Sequence, residues 1–254
     1  ASQAFGLFAG QAVFWIHSGS RGLGHQVCDD SLRLLAKSSD AIRPKDRQLI
    51  SVPPASKAGQ AYLGAMAAAA NFAFANRQIL SHLTRETLEI ALGRGPQSLG
   101  MGLVYDVAHN VAKFEPRQLL VHRKGATRAL GPGHNELPAQ YCSHGQPVLL
   151  PGDMGRASFV LCGTSRADQE TFASSAHGAG RKLSRTQAKK KAQGRRLADE
   201  LAEQGVLVRA VKMKTLAEEM PEAYKDASQV VEVMHGSGIA RKVVRTRPLV
   251  VIKG

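Results

Sequence analysis

A histidine set among glycines and small residues, SSAHGAGRKLSR (174–185), is the stretch of this sequence best suited to chemistry. His177 stands beside Gly178, Ala179 and Gly180, so the backbone can approach a phosphate with no Cβ in the way. An imidazole so placed can attack phosphorus and carry a covalent intermediate. Arg181, Lys182 and Arg185 follow at once. Two more histidines stand at the edges of apolar segments. His17 follows QAVFWI (11–16) and opens HSGSRGLGH (17–25), and His109 has Asn110 beside it. Imidazole nitrogens suit Mn, Zn, Fe or Co. The three lie too far apart for a local metal motif, so the residues alone leave open a ligand role or a hydrogen-bonded structural one. PGDM (151–154) forms a tight turn whose N–H groups can face a phosphate or a base, or which simply joins two strands.

Composition narrows the partners. The net charge is +14 and the aromatic content 5%. The charge excess points first to nucleic acid and second to an anionic membrane surface, and the few aromatics argue against a stacking platform for many bases. Three widely spaced cysteines with no CxxC argue against a disulfide framework or a zinc ribbon and for a reducing compartment. The alanine-rich stretch at 65–75 contains Asn71 and is too polar to span a bilayer. The start, ASQAFG, is neither a signal peptide nor a natural beginning, so the chain is expected to begin inside a longer protein. GSRGLG does not match GxGxxG and no GxxxxGK[ST] occurs, which excludes Rossmann and P-loop readings.

The elements that must position these residues follow from pattern and punctuation. Residues 11–16 read as a short buried strand, 26–37 as a helix, and 56–92 as a long helical segment that could break near Ser81. Beyond it, strands are expected at 103–108 and 117–122, flanking the His109–Asn110 loop, and at 146–150, 158–162, 206–213 and 249–252. One helix is expected at 185–204, with Ser184 as N-cap, Gln187 completing a capping box and Gly205 ending it. The mixture predicts an α+β fold whose strand ends converge on polar loops.

In a single helix over 185–204 the charge order is reversed. Arg185, Lys189, Lys190, Lys191, Arg195 and Arg196 precede Asp199, Glu200 and Glu203. Cations at a helix N-terminus cost up to about 1 kcal/mol, which a bound anion would offset; the alternative is a solvated basic face. HRKGATR (122–128) and Arg241, Lys242, Arg245 and Arg247 add two more basic segments, which fit a groove tracking a phosphate backbone or scattered surface charge.

These residues bring a family into view. HSGSRGLGH, YLGAMAAAANFAFANRQ (62–78), YDVAHN (105–110), HRKGATRA (122–129), PGDMGRAS (151–158), SSAHGAGRKLSRTQA (174–188), PEAYKD (221–226) and RPLVVIKG (247–254) resemble the RtcB-type RNA ligases. The resemblance covers nearly the whole chain. It implies an RtcB-like α+β fold around a metal and nucleotide cleft, with residues 1–254 as the C-terminal part of a single ligase catalytic domain. It also implies a cytoplasmic GTP- and Mn²⁺-dependent enzyme of tRNA splicing and RNA repair, with two manganese ions and in some members an activating partner, archease. The enzyme joins RNA 3′-phosphate or 2′,3′-cyclic phosphate ends to 5′-hydroxyl ends.

By this resemblance His177 is guanylylated, and His17 and His109 bind manganese. Asn110, Pro151, Gly152, Asp153, Met154, Ser158, His177, Gly178, Ala179, Gly180 and Lys253 contact the guanine nucleotide. Arg21 and Arg185 meet phosphates of GTP or RNA. The family's other metal ligands, an aspartate, a cysteine and a histidine in a Gly-Asn-His-Phe string, have no match here. A fragment, or a second polypeptide supplying them, is therefore expected. Two other functions stay open: a non-catalytic RNA-binding module, and a metal-dependent phosphoesterase acting on cyclic phosphate ends.

Overall fold

The computed structural model describes residues 1–254, the side chains of Arg117 and Met213 excepted. The architecture is α+β: helices with several small sheets. The chain divides into two compact units, Phe14–Asp106 and a second made of Ala1–Val13 with Val107–Gly254.

The unit Phe14–Asp106 is built on two helices, α1 (Arg21–Ala36) and α2 (Lys57–Leu92). The 36 residues of α2 run unbroken for ~54 Å. Ser56 caps the start, its hydroxyl accepting from the Gly59 N–H at 3.1 Å. The expected break near Ser81 does not occur. The hydroxyls of Ser81, Thr84 and Thr87 donate back to the carbonyls of Arg77, Leu80 and Leu83, which lets polar residues ride inside a helix. Helix α1 starts five residues before the expected 26, inside the glycine-rich segment. Residues 11–16 form no strand, because no second segment pairs with them among the described residues.

The larger unit holds four small sheets. Strands β1 (Asn110–Glu115) and β2 (Leu119–Lys124) pair antiparallel, as do β3 (Ala126–Arg128) and β6 (Ser174–Ala176). Strands β4 (Pro147–Leu150), β5 (Ser158–Gly163) and β8 (Ala240–Thr246) form an antiparallel sheet with β5 at its centre. Strands β7 (Leu207–Ala210) and β9 (Val250–Lys253) run parallel. The expected strands at 146–150, 158–162, 206–213 and 249–252 correspond to β4, β5, β7 and β9. The strand expected at 103–108 is absent. Its apolar residues run in irregular chain, and β1 begins only at Asn110, so His109 precedes a strand rather than following one.

Two of the buried cores described in this unit bear on the site. One packs Val148, Leu150, Phe159 and Leu161 of the three-stranded sheet against Ala227 and Val231 of α7 (Ala227–Gly236). Each such aliphatic or aromatic side chain, fully buried, contributes roughly 1.5–3 kcal/mol. Another core gathers Ala188, Leu197, Leu201, Val208 and Leu216 from α4 (Arg185–Lys191), α5 (Leu197–Glu203), β7 and α6 (Met213–Glu218), with Met220 from the segment after α6. A further short helix, α3 (Ser165–Glu170), leads toward β6.

The single helix expected over 185–204 is two. The capping box at Ser184 and Gln187 is present, with bonds of 3.2 and 2.9 Å. Gly194 then adopts φ 77°, a left-handed conformation that ends the helical path and that glycine takes at no steric cost. The break removes the reversed charge order. Lys189, Lys190 and Lys191 close the last turn of α4, and Asp199 and Glu200 open the first turn of α5, which is the order a helix dipole favours.

Candidate active site

His177 and His109 come together in the fold. His177 directly follows β6 and His109 directly precedes β1. Ala126 pairs with Ala176 across β3 and β6, and the His177 N–H donates to the Gly125 carbonyl at 3.4 Å. The two half-buried imidazoles stack with ring centroids 4.2 Å apart and planes 7° from parallel. A ring held in a fixed plane is what a nucleophile needs for a directed approach to phosphorus.

The two sheets that carry these histidines are joined by buried charge. Arg123 on β2 donates through Nη1 to Glu115 Oε1 at 2.7 Å, through Nε to Ser174 Oγ at 2.9 Å and through Nη2 to the Phe172 carbonyl at 2.8 Å. Arg128 on β3 donates to Glu115 Oε2 at 2.7 Å and also to Glu136. The side chains of Arg123 and Glu115 are 2% and 6% exposed. The basic turn at 122–128 is therefore not a uniform phosphate-facing surface: both its arginines pair with the internal carboxylate of Glu115, because burial makes an unpaired charge prohibitive. Lys113 and above all Arg128 hold the Glu136 carboxyl down at about 2.

The PGDM turn is locked by its own residues. Ser158 Oγ accepts from the Gly152 N–H at 2.9 Å. The Asp153 carboxylate accepts from the N–H groups of Gly155 and Arg156, both at 3.0 Å, and pairs with the Arg156 guanidinium. Met154 is buried in the core with Leu201 and Met220. Its side chain and that of Asp153 thus face inward, leaving backbone groups as what this turn has to offer a ligand. In the glycine loop, the Gly180 carbonyl accepts from the Lys225 N–H at 3.0 Å. Ala179 packs on the sheet core. Asn110 opens β1 in exposed position and Lys253 lies half-buried on β9, opposite Ala210.

The chain matches, over residues 1–254, the family model described as tRNA-splicing ligase RtcB. It belongs to the RtcB family. It is 50% identical to the tRNA-splicing ligase RtcB of Thermococcus kodakarensis over 262 positions, covering all of this chain and 54% of that protein. Identity to the Archaeoglobus fulgidus protein of the same name is 51% over 259 positions, with 98% of this chain and 54% of that one covered. For the Pyrococcus abyssi protein the figures are 50%, all of this chain and 29% of that one. The chain thus spans about half, or less, of the length of these relatives.

Against this RtcB background, the basic segment after the histidine loop divides into bound and open charge. Arg181 is wholly engaged. It donates to the Leu183 carbonyl at 3.0 Å, to Glu219 at 3.2 Å and to the Tyr224 hydroxyl at 2.7 Å, with its guanidinium 4.7 Å from the Tyr224 ring centroid. It is not the open cation the sequence suggested. Burial, with the Glu219 carboxylate beside it, pushes the Tyr224 hydroxyl up to about 12. Lys189 and, more weakly, Arg185 pair with Glu218, whose carboxyl they lower. Arg195 pairs with Glu200 and Glu222. Lys182 and Lys191 form no ion pair within 4 Å among the described residues. With Arg156, Arg195, Leu183 and Tyr224 they line a groove of about 580 Å³.

His17 and Arg21 lie in the unit Phe14–Asp106, both exposed. Their turn is held by side chains the sequence reading passed over. Asn76 Nδ2 donates to Ser18 Oγ at 3.0 Å and to the Gly19 carbonyl at 2.9 Å. Arg77 donates to the Ser18 carbonyl at 3.1 Å and to Asp106 at 2.6 Å. The available signal was an Asn-Arg pair following the mostly apolar run 61–75 of this helix. Arg21 adopts φ 53°, a left-handed backbone uncommon for a side-chain-bearing residue.

The described residues contain no group of three or more His, Cys, Asp or Glu side chains that could hold a metal ion. Cys28, Cys142 and Cys162 are free thiols. The described residues therefore do not by themselves compose a manganese centre. No described helix is long and apolar enough to cross a membrane.

Proposed function

We propose that this chain works as the C-terminal part of a single RtcB-type ligase catalytic domain in the cytoplasm, joining RNA ends through a guanylylated histidine. The observation that carries the reading is the pair His109 and His177, stacked at 4.2 Å at the strand ends of a chain that matches the family from end to end. GTP and Mn²⁺ are the cofactors of this reading, and broken or spliced tRNA its RNA substrate. The two manganese ions of a complete site would neutralise phosphate oxygens, with His17 and His109 among their ligands and the remaining donors supplied from outside these residues.

In this scheme a His177 ring nitrogen attacks the α-phosphorus of GTP. An N–P bond forms, the bond to the bridging oxygen breaks and pyrophosphate leaves. An oxygen of the RNA 3′-phosphate then attacks the same phosphorus and frees His177. The RNA 5′-hydroxyl attacks the activated 3′-phosphate, loses its proton and expels GMP. Splitting the displacement in this way replaces one difficult step with easier ones. The backbone of Gly178, Ala179 and Gly180, the Pro151–Met154 turn, Ser158, Asn110 and Lys253 would hold the nucleotide. Arg21 and Arg185 would meet phosphates, Arg185 being largely exposed despite its distant Glu218 partner.

Labelled GTP with Mn²⁺ tests the scheme: the complete protein should acquire acid-labile label, and His177→Ala should acquire none. Label on the His177→Ala protein would remove the nucleophile assignment. A second reading, a non-catalytic RNA-binding module, draws on the lack of a three-ligand metal cluster among the described residues. It would show salt-dependent RNA binding with no label on any variant. Addition of archease separates a protein needing that partner from one that does not.

A further inference from the structure

The two histidines flank strands of two separate two-stranded sheets, and β2 runs into β3 through a single residue, Gly125. A one-residue joint cannot by itself fix the angle between two small sheets. Two arginines cross the joint in opposite directions. Arg123 leaves the β1–β2 sheet for Ser174 and Phe172, at and before the start of β6. Arg128 leaves the β3–β6 sheet for Glu115, at the end of β1. Glu115 receives both, one on each carboxylate oxygen. At the far end of the brace Phe172 and Ala173 hold φ of 51° and 50°, conformations that non-glycine residues keep only when the surroundings impose them.

We infer that Arg123, Glu115 and Arg128 are positioning residues that hold His177 face to face with His109. None of the three is an open, substrate-facing charge: Arg123 and Glu115 are almost wholly buried, and Arg128, 14% exposed, is held by Glu115 and Glu136. The inference rests on the proposed role of His177 for its catalytic consequence, but not for its structural one. Planar guanidinium forks fix angle as well as distance, which a lysine point charge does not. Buried ion triads contribute little net stability over well-packed apolar residues, so stability alone does not account for this one.

The test separates geometry from stability. In Glu115→Leu/Arg123→Met/Arg128→Met the triad is replaced by apolar side chains of similar bulk, and the Ser174 hydroxyl still donates to the Phe172 carbonyl. The readouts are the melting temperature, the ring-current shifts of the His109 and His177 imidazole protons by NMR, and the rate of label uptake from GTP. A triple variant melting within about 5 °C of the parent should lose more than half of the mutual ring-current shift. Its kcat for labelling should fall at least about tenfold, with KM for GTP unchanged. Unchanged shifts and rate in a folded triple variant would overturn the inference. Where the triple variant does not fold, Arg123→Lys serves instead. It keeps the charge opposite Glu115 but cannot also reach Ser174 and Phe172, and unchanged stacking in it would equally overturn the inference. A complete parent protein that takes no label with Mn²⁺ and archease present, yet whose stacking collapses in the variants, would refute the ligase scheme and leave the positioning role standing.

Discussion

Two clusters of ion pairs in the same unit show how burial decides what charge does. Glu115, Arg123 and Arg128 are enclosed between small sheets and bond to one another and to the chain around them, with only Arg128 reaching outward, to the half-exposed Glu136. Arg195, Glu200 and Glu222 have similar chemistry on the α5 surface, half-exposed, beside a groove that Lys182 and Lys191 also line. In water an ion pair is worth at most about 1 kcal/mol, because solvent competes for both partners. In the interior neither partner can be removed without stranding the other. The buried cluster is therefore architecture, whereas the surface cluster holds its partners only against competition from solvent.

The sharpest way to break this comparison is Glu115→Ala. Two arginines lose their shared carboxylate inside the protein, and the expected loss is about 3–5 kcal/mol, read as a drop of roughly 10 °C or more in melting temperature. A change within about 1 kcal/mol would place the buried cluster with the surface one.

Tyr224 gives the next largest effect, on the boundary between the two regimes. Its folded pKa is raised to about 12, by burial first and by Glu219 second. The neutral phenol is thus favoured by the fold, so this stability is fully present below pH 10 and is lost as pH rises from 10 toward 12. Across that window the parent should lose about 1–2 kcal/mol more than Tyr224→Phe, measured by urea unfolding at fixed salt. Parallel pH profiles would show that the Tyr224 environment does not hold the neutral form.

The smallest effect on stability belongs to the open lysines. Lys182→Ala/Lys191→Ala should leave unfolding within about 0.5 kcal/mol of the parent. Its affinity for single-stranded RNA should nonetheless depend less on salt, the log–log slope falling by about 1–2. Lys212→Ala/Lys214→Ala, away from the groove lining, controls for net charge. An equal slope change in both pairs would mean that the groove has no special part in RNA contact.

The parts of this molecule that were legible in sequence depend on near neighbours. The capping box at Ser184 and Gln187 needs only four residues. The strands β4 and β5 are apolar runs bounded by Pro151 and Gly152, and the long helix α2 follows from its alanines and its Ser56 cap. Illegible were features set by distant groups. The apolar residues at 11–16 and 103–108 have strand-like composition, but a strand exists only where another backbone completes its ladder. Arg123 and Arg128 look like surface cations until the fold closes over them.

By itself, the sequence determined the chemical inventory: a histidine in a glycine loop, two more histidines at segment edges, a strongly basic composition and a family's string of motifs. Tertiary structure decided which of these meet and which are consumed. It stacked His177 on His109, split the basic helix at Gly194 so that its charges suit two dipoles, and turned Arg123, Arg128, Arg181 and Asp153 inward. The physical reason is desolvation: whether a charge binds a ligand or braces the fold depends on how much water it keeps, and only the folded chain fixes that.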